Sequence, residues 1–147
     1  MQKIKLGISS CLLGNSVRYD GGHKLDSFLK ETLGQYVDYV PVCPEAECGM
    51  GIPREPMRLE AHSGVIRLLT RTSRVDKTEL MVSWAKKRVA ELAEEDLCGF
   101  IFKSNSPSSG MERVKVYSEK GIPSKTGVGL FAHVFMKHFP LLPVEEE

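Results

Sequence analysis

No stretch of this 147-residue chain approaches the roughly 18 consecutive apolar residues that a membrane helix needs, so a membrane-spanning role is excluded at the outset. Nor is one sign of charge in excess: 20 basic side chains face 19 acidic ones, a formal net charge of +1. No overall field therefore draws the chain to nucleic acid or to an anionic membrane, and any anionic partner must be met by a local patch. Met1 to Ile8 lacks the long apolar stretch and small-residue cleavage site of a secretory signal, which implies a cytoplasmic protein. Thiols stay reduced there, so the four cysteines read as ligands, nucleophiles or core residues rather than as a disulfide framework. A paired C-x2-C of the structural zinc kind is missing, and the four histidines are scattered without ligand spacing. Internal repeats, low-complexity tracts and a convincing domain boundary are also absent. With 41% hydrophobic residues there is material for a core, and the expectation is one domain over residues 1–147.

What is present is alternation. Ile4, Leu6 and Ile8 alternate with Lys3, Lys5 and Gly7, which predicts a strand running into Ser9-Ser10-Cys11 and then the turn Asp20-Gly21-Gly22. Leu25, Phe28, Leu29, Leu33 and Tyr36 fall at helical spacing and predict one apolar stripe to lie on a sheet. Val37, Tyr39, Val40 and Val42 read as a second strand, stopped by Pro44. Residues 57–60 and 65–69 flank Ser63-Gly64 as a small hairpin. Asp76, with Glu79 three residues on, starts a long helix to about Asp96 whose buried face carries Leu80, Met81, Trp84, Ala85, Val89, Leu92 and Ala93. Strands at Phe100–Phe102 and Val114–Tyr117 follow, then a helix over Leu130 to Phe139 capped near Thr126, and a last edge strand at Leu141–Val144. The fold class is α/β: a mostly parallel, Rossmann-like βαβ sheet flanked by helices, with a small hairpin insertion.

Open α/β sheets keep their chemistry at the strand ends. Here three such ends carry polar or thiol residues: Ser9-Ser10-Cys11, Val42-Cys43-Pro44-Glu45, and the serine-rich row Lys103 to Gly110. Cys43 and Cys48 are four residues apart, with Glu45 and Glu47 beside them and Gly49 and Gly51 following. That spacing leaves two readings open, a metal site built from Cys11, Cys43 and Cys48, or buried thiols, since free cysteine is among the most buried residue types. Cys98 reads as a small buried hydrophobe.

Three ordered motifs add what spacing cannot. Ser9 to Gly14 with Val17 to Gly22, Pro41 to Gly49 with Pro53-Arg54-Glu55, and Gly99 to Glu112 together resemble the thiouracil desulfidase family over nearly the whole chain. The resemblance implies a [4Fe-4S] cluster held by three cysteines, with one iron free to take the sulfur of a thiolated uracil, and a non-redox hydrolysis giving uracil and hydrosulfide. Cys11 and either Cys43 or Cys48 are the implied ligands, Glu45 and Ser106 the implied catalytic pair. Ser104, Lys103, Arg18 and Tyr19 are implied to bind the pyrimidine or its phosphate.

The family's S-P-S-C-G reads Ser106-Pro107-Ser108-Ser109-Gly110 here, so Ser109 stands where the third cysteine belongs. A serine hydroxyl is a poor ligand for cluster iron, and the cluster is implied to be incomplete or absent. An engineered Cys→Ser exchange and a natural homologue that ligates with both Cys43 and Cys48 both account for it. Two alternatives of other classes stand beside the small-molecule desulfidase: a module that binds or desulfurates thiolated tRNA, and a thiol redox sensor built on Cys43 and Cys48.

Overall fold

The computed structural model describes residues 2–147; Met1 lies outside the described residues. Two four-stranded sheets make the frame. The first has the order β2 (Val37–Val42), β1 (Ile4–Ser9), β5 (Gly99–Phe102), β8 (Val144–Glu146), and all its pairings are parallel. The second has the order β4 (Val65–Thr70), β3 (Met57–His62), β6 (Val114–Tyr117), β7 (Pro123–Gly127), with β3 and β6 parallel and both outer pairings antiparallel. The expected hairpin is β3–β4, turned at Ser63 and Gly64, both at positive φ as a tight two-residue turn requires. It is the outer half of that second sheet.

Three α-helices accompany the sheets: the short α1 (Pro44–Glu47), α2 (Thr78–Leu92) and α3 (Leu130–His138). Asp76 sits ahead of α2 and accepts the Thr78 N–H at 2.9 Å, as a helix-start residue should. The main core gathers Phe100 and Phe102 of β5, Leu59, Leu68, Val114 and Val116 of the second sheet, and Met81, Ala85, Val89, Phe131 and Phe135 of the two long helices. Ile101 points to the opposite face of β5 and packs with Ile8, Leu12 and Leu29. A strand buried on both faces is what a central parallel strand needs. Gly7 is fixed by the same packing: a Cβ there would lie 2.2 Å from the Phe100 ring.

The structure departs from the expected elements at several points; among them, Ala93 is exposed in a 3₁₀ turn (Ala93–Glu95) rather than on the buried helix face, and the last strand runs Val144–Glu146 rather than Leu141–Val144. The segment after Leu25 is a π-helical turn (Phe28–Thr32) followed by a 3₁₀ turn (Leu33–Gln35), and only Leu29 of the supposed stripe is buried. A π turn breaks the 3.6-residue period, so Phe28 and Tyr36 are left 61% and 69% exposed. Leu80 rotates out of the α2 core face and is exposed. Thr126 caps nothing: it belongs to β7, an exposed strand opening on Pro123, whose polar sequence carried no alternation signal. Instead Gly129 precedes the first residue of α3, and the carbonyls of Pro107 and Ser108 accept the N–H groups of Leu130, Phe131 and Ala132. Cys98 is exposed rather than buried. No helix among the described residues is long and apolar enough to cross a membrane.

Candidate functional site

Parallel strands release their carboxyl ends on one edge, and here β1, β2 and β5 deliver their following segments to a single cavity of about 470 Å³. After β1 the chain turns through a 3₁₀ segment (Ser10–Leu13) that presents Cys11. After β2 comes Cys43 and then α1, whose first turn is held by Glu47 accepting the Cys43 N–H at 2.7 Å. After β5 the backbone N–H of Lys103 bonds Ser9 Oγ at 2.9 Å, tying the third end to the first. The serine row is then clamped from below. Its Pro107 and Ser108 carbonyls sit on the N-terminus of α3, and Gly129 approaches so closely that a Cβ there would be 2.5 Å from the Ser108 carbonyl carbon.

Cys11, Cys43, Glu45, Ser104, Ser106 and Ser109, together with Lys103, Arg18 and Tyr19, all line this cavity. Cys48 does not. Its Sγ turns back to the Glu45 carbonyl at 3.5 Å and its side chain packs on the main core, whereas Cys43 Sγ points to the Val17 carbonyl at 3.7 Å. Burial raises the pKa of all three thiols. For Cys11 the nearby Lys103 charge offsets part of that rise, and for Cys43 a backbone hydrogen bond from Ala46 does so. The Cys48 thiol is pushed up to about 11.

The carboxylate of Glu45 is held from both sides. Arg54 Nε donates to Oε1 and Ser108 Oγ donates to Oε2, each at 2.9 Å. Arg54 also bonds the carbonyls of Val17 and Gly51, so one guanidinium joins α1, the loop carrying Arg18 and Tyr19, and the Gly-Pro segment before β3. Arg18 lies over the Tyr19 ring, 5.6 Å from its centroid. Lys103 Nζ and the Ser104 amide and hydroxyl all meet the carboxylate of Glu147. Burial disfavours charge on Glu147, but the Ser104 and Lys103 hydrogen bonds outweigh it and hold its pKa below the ordinary value. Arg54, Ser108 and Glu147 were not singled out by sequence. Arg54 had a signal in its place within the Pro-Arg-Glu motif, and Ser108 in the serine row; Glu147 had none.

Seven cations line the cavity; Arg18, Arg54, Arg58 and Lys103 are paired with Asp20, Glu45, Glu60 and Glu147, which leaves Lys24, Arg71 and Lys115 without an ion-pair partner among the described residues. Among the described residues lining it, Arg18, Lys24, Arg54 and Lys103 lie with the strand ends of the first sheet and their loops, and Arg58, Arg71 and Lys115 lie on the side of the second. Glu45 is the only carboxylate in that lining. Arg58 stacks on Tyr117, 4.1 Å from the ring centroid, which holds its charge at the second wall.

Residues 6–147 match a family model described as 2-thiouracil desulfurase. An uncharacterized protein of Bacillus subtilis (strain 168), YbbK, is 33% identical over 109 residues, 70% of this chain and 71% of that one. The solved structure of a [4Fe-4S]-dependent thiouracil desulfidase, TudS, superposes with a TM-score of 0.79 at 27% identity, over 99% of this chain and 91% of its own.

Two thiols, Cys11 and Cys43, and one hydroxyl, Ser109, line the cavity, with Ser109 only 4% exposed. Among the described residues no three His, Cys, Asp or Glu side chains are gathered as a metal would need. Iron in a sulfide cluster favours thiolate over a neutral hydroxyl. The donor set therefore does not fit a cluster held by three thiolates.

Proposed function

The chain belongs to the 2-thiouracil desulfurase family, and from that premise we propose that its cavity binds a thiolated pyrimidine bearing a phosphate and is shaped for hydrolytic removal of the sulfur. The observation that carries this is the division of the cavity. Thiols, hydroxyls and the one carboxylate of the lining stand at the strand ends of the first sheet, and Arg71 and Lys115, which have no ion-pair partner among the described residues, line the cavity from the second. A pyrimidine ring occupies only part of about 470 Å³, and its phosphate gives the cationic wall a partner.

Hydrolysis of a thiocarbonyl exchanges C=S for C=O, with water supplying the oxygen and hydrosulfide leaving, and no electrons are gained or lost. This chain's own contribution is to bind, orient and move protons. Arg18 and Tyr19 flank the ring on a loop tethered by Arg54. Glu45, fixed by Arg54 and Ser108, takes the proton of the attacking water, and Ser106 places that water against the ring carbon.

The test is sulfide release from 2- and 4-thiouracil and their nucleoside monophosphates after anaerobic iron and sulfide loading, for the parent chain and for Ser109→Cys. Sulfide release by Ser109→Cys, with kcat/KM at least about tenfold higher for the monophosphates and falling with salt, is expected. No sulfide from any of the four by Ser109→Cys refutes the desulfidase reading. Equal turnover of base and monophosphate refutes the phosphate.

A further inference from the structure

An ionised carboxylate accepts hydrogen bonds and donates none, so the 2.9 Å contact between Ser108 Oγ and Glu45 Oε2 fixes the direction of a row of hydroxyls. Ser108 gives its one O–H to Glu45. The 3.1 Å contact between the Ser106 and Ser108 hydroxyls must then run from Ser106 as donor to Ser108 as acceptor. Ser106 Oγ in turn accepts the backbone N–H groups of Ser108, at 3.2 Å, and Ser109, at 3.0 Å. Two N–H dipoles on one hydroxyl oxygen favour charge developing on it.

The geometry points to Ser108 as a positioning residue, a hydroxyl relay through which Glu45 draws the proton of Ser106 and makes that oxygen reactive. As Ser106 passes its proton to Ser108 Oγ, Ser108 passes its own to Glu45. One proton moves from Ser106 to the carboxylate, no electron moves, and Ser108 ends as it began. The parts are rigidly held: Arg54 occupies the other oxygen of Glu45, and the Ser108 carbonyl is locked onto the Phe131 and Ala132 N–H groups. Ser108 is 2% exposed, so bulk water does not compete for its hydrogen bonds, while Ser106 faces the cavity.

The inference depends on the desulfidase reading only for the natural substrate. Reactivity of Ser106 is read with a probe that needs neither a thiopyrimidine nor iron. The full chain is treated with a fluorophosphonate and the adduct is mapped by mass spectrometry. The Ser106 O–P bond forms, the P–F bond breaks, fluoride leaves to solvent, and the serine proton goes to Glu45.

The expected result is an adduct at Ser106 whose rate falls roughly 10²-fold in Ser108→Ala and in Glu45→Gln. The double variant is expected to be no slower than the slower single one, because groups acting as one unit lose their effect once. Glu45→Gln keeps the side-chain volume, so it carries the test if Ser108→Ala fails to fold by circular dichroism. No adduct at Ser106 in the parent, an undiminished rate in a folded single variant, or losses that multiply in the double variant would each overturn the relay. Sulfide release by the iron- and sulfide-loaded Ser109→Cys chain, measured beside its own adduct, separates the two readings: adduct without sulfide sinks the desulfidase, and sulfide without adduct sinks the relay.

Discussion

Replacing Arg54 by Met keeps most of the side chain's apolar stem and removes the cation that three segments share. The side chains of Arg54 and Glu45 are only 7% and 13% exposed, so their 2.9 Å ion pair is shielded from water. Removing one partner of a buried pair leaves the other charge uncompensated, at about 3–5 kcal/mol. Glu45 lines the cavity and keeps its bond from Ser108, so water and that hydroxyl recover part of the loss. The Val17 and Gly51 carbonyls each lose a donor at 2.9 Å, in positions where the solvent of the cavity and the surface can replace it. The net expectation is about 3 kcal/mol, toward the lower limit of that range. For a chain of this size it lowers the melting midpoint by about 9 °C. Arg54→Lys retains the charge but not the planar fork and should fall about half as far. Thermal unfolding followed by circular dichroism, with urea titration for the free energy, measures both. A loss under about 1 kcal/mol for Arg54→Met would mean that the guanidinium does not clamp these three segments, since an exposed pair is worth no more than that.

Gly7→Ala should destabilise by about 2 kcal/mol or more, because the new methyl meets the Phe100 ring at 2.2 Å and that ring is enclosed by Phe102, Phe131 and Phe135; urea denaturation reads it, and a neutral result would show that β5 can shift. The buried Glu60 carboxylate accepts from Arg74, Arg58 and His62, and the Arg74 bond above all holds its pKa well below the carboxylate range. Its stabilisation is therefore fully present above the unfolded-state value near about 4.3 and is lost as pH falls below it, so Glu60→Gln should cost stability at pH 7 and flatten the decline in acid, measured as unfolding free energy from pH 7 to pH 3. Among the thiols, exposed Cys98 should be alkylated first at pH 8 and Cys48, with its pKa near 11, last; peptide mapping of a time course checks the order, and early modification of Cys48 would contradict its packing on the core.

One signal, a short run rich in apolar residues bounded by turn residues, made β1, β2 and the β3–β4 hairpin legible from sequence, although their burial does not alternate strictly and Ile4, Val65 and Ile66 are exposed. It fails for β7, where Pro123, Ser124, Lys125 and Thr126 are all exposed and the strand exists only because β6 supplies its partner. It fails differently at Leu25 to Tyr36, where apolar spacing was right for a helix but the backbone took a π turn. The Tyr39 hydroxyl bonds the Leu29 carbonyl there at 2.7 Å, and Gly34 packs against the same carbonyl. At the site, the thiols, Glu45 and the serine row were legible as motif positions, whereas Lys24, Arg58, Arg71 and Lys115 line the cavity outside any motif. Arg54 and Ser108 lay within motifs, but their bonds to Glu45 were not legible, because they span 9 and 63 residues and no local pattern reports such distances.

The two sheets give the cavity walls separable duties. The chemical groups hang from β1, β2 and β5, and their mutual geometry is fixed by parallel registers such as Ser9 with Val42 and Ile8 with Ile101. The charges at Arg58 and Lys115 hang from β3 and β6, which pair with each other in a different sheet. A substitution on the second wall therefore leaves the Arg54, Glu45, Ser108 and Ser106 row untouched, and a substitution in that row leaves the second wall's charge in place. Lys115→Ala and Arg71→Ala should accordingly raise KM for an anionic substrate and steepen nothing in the chemical step, because interactions equal in ground and transition states act on binding alone. Arg58 is the exception that the structure itself defines. It also donates to the buried Glu60 at 2.9 Å, so its removal disturbs the strand that carries it as well as the charge it presents. A loss of unfolding free energy in Arg58→Ala, with little in Lys115→Ala or Arg71→Ala, follows from that one shared carboxylate and is read by urea titration.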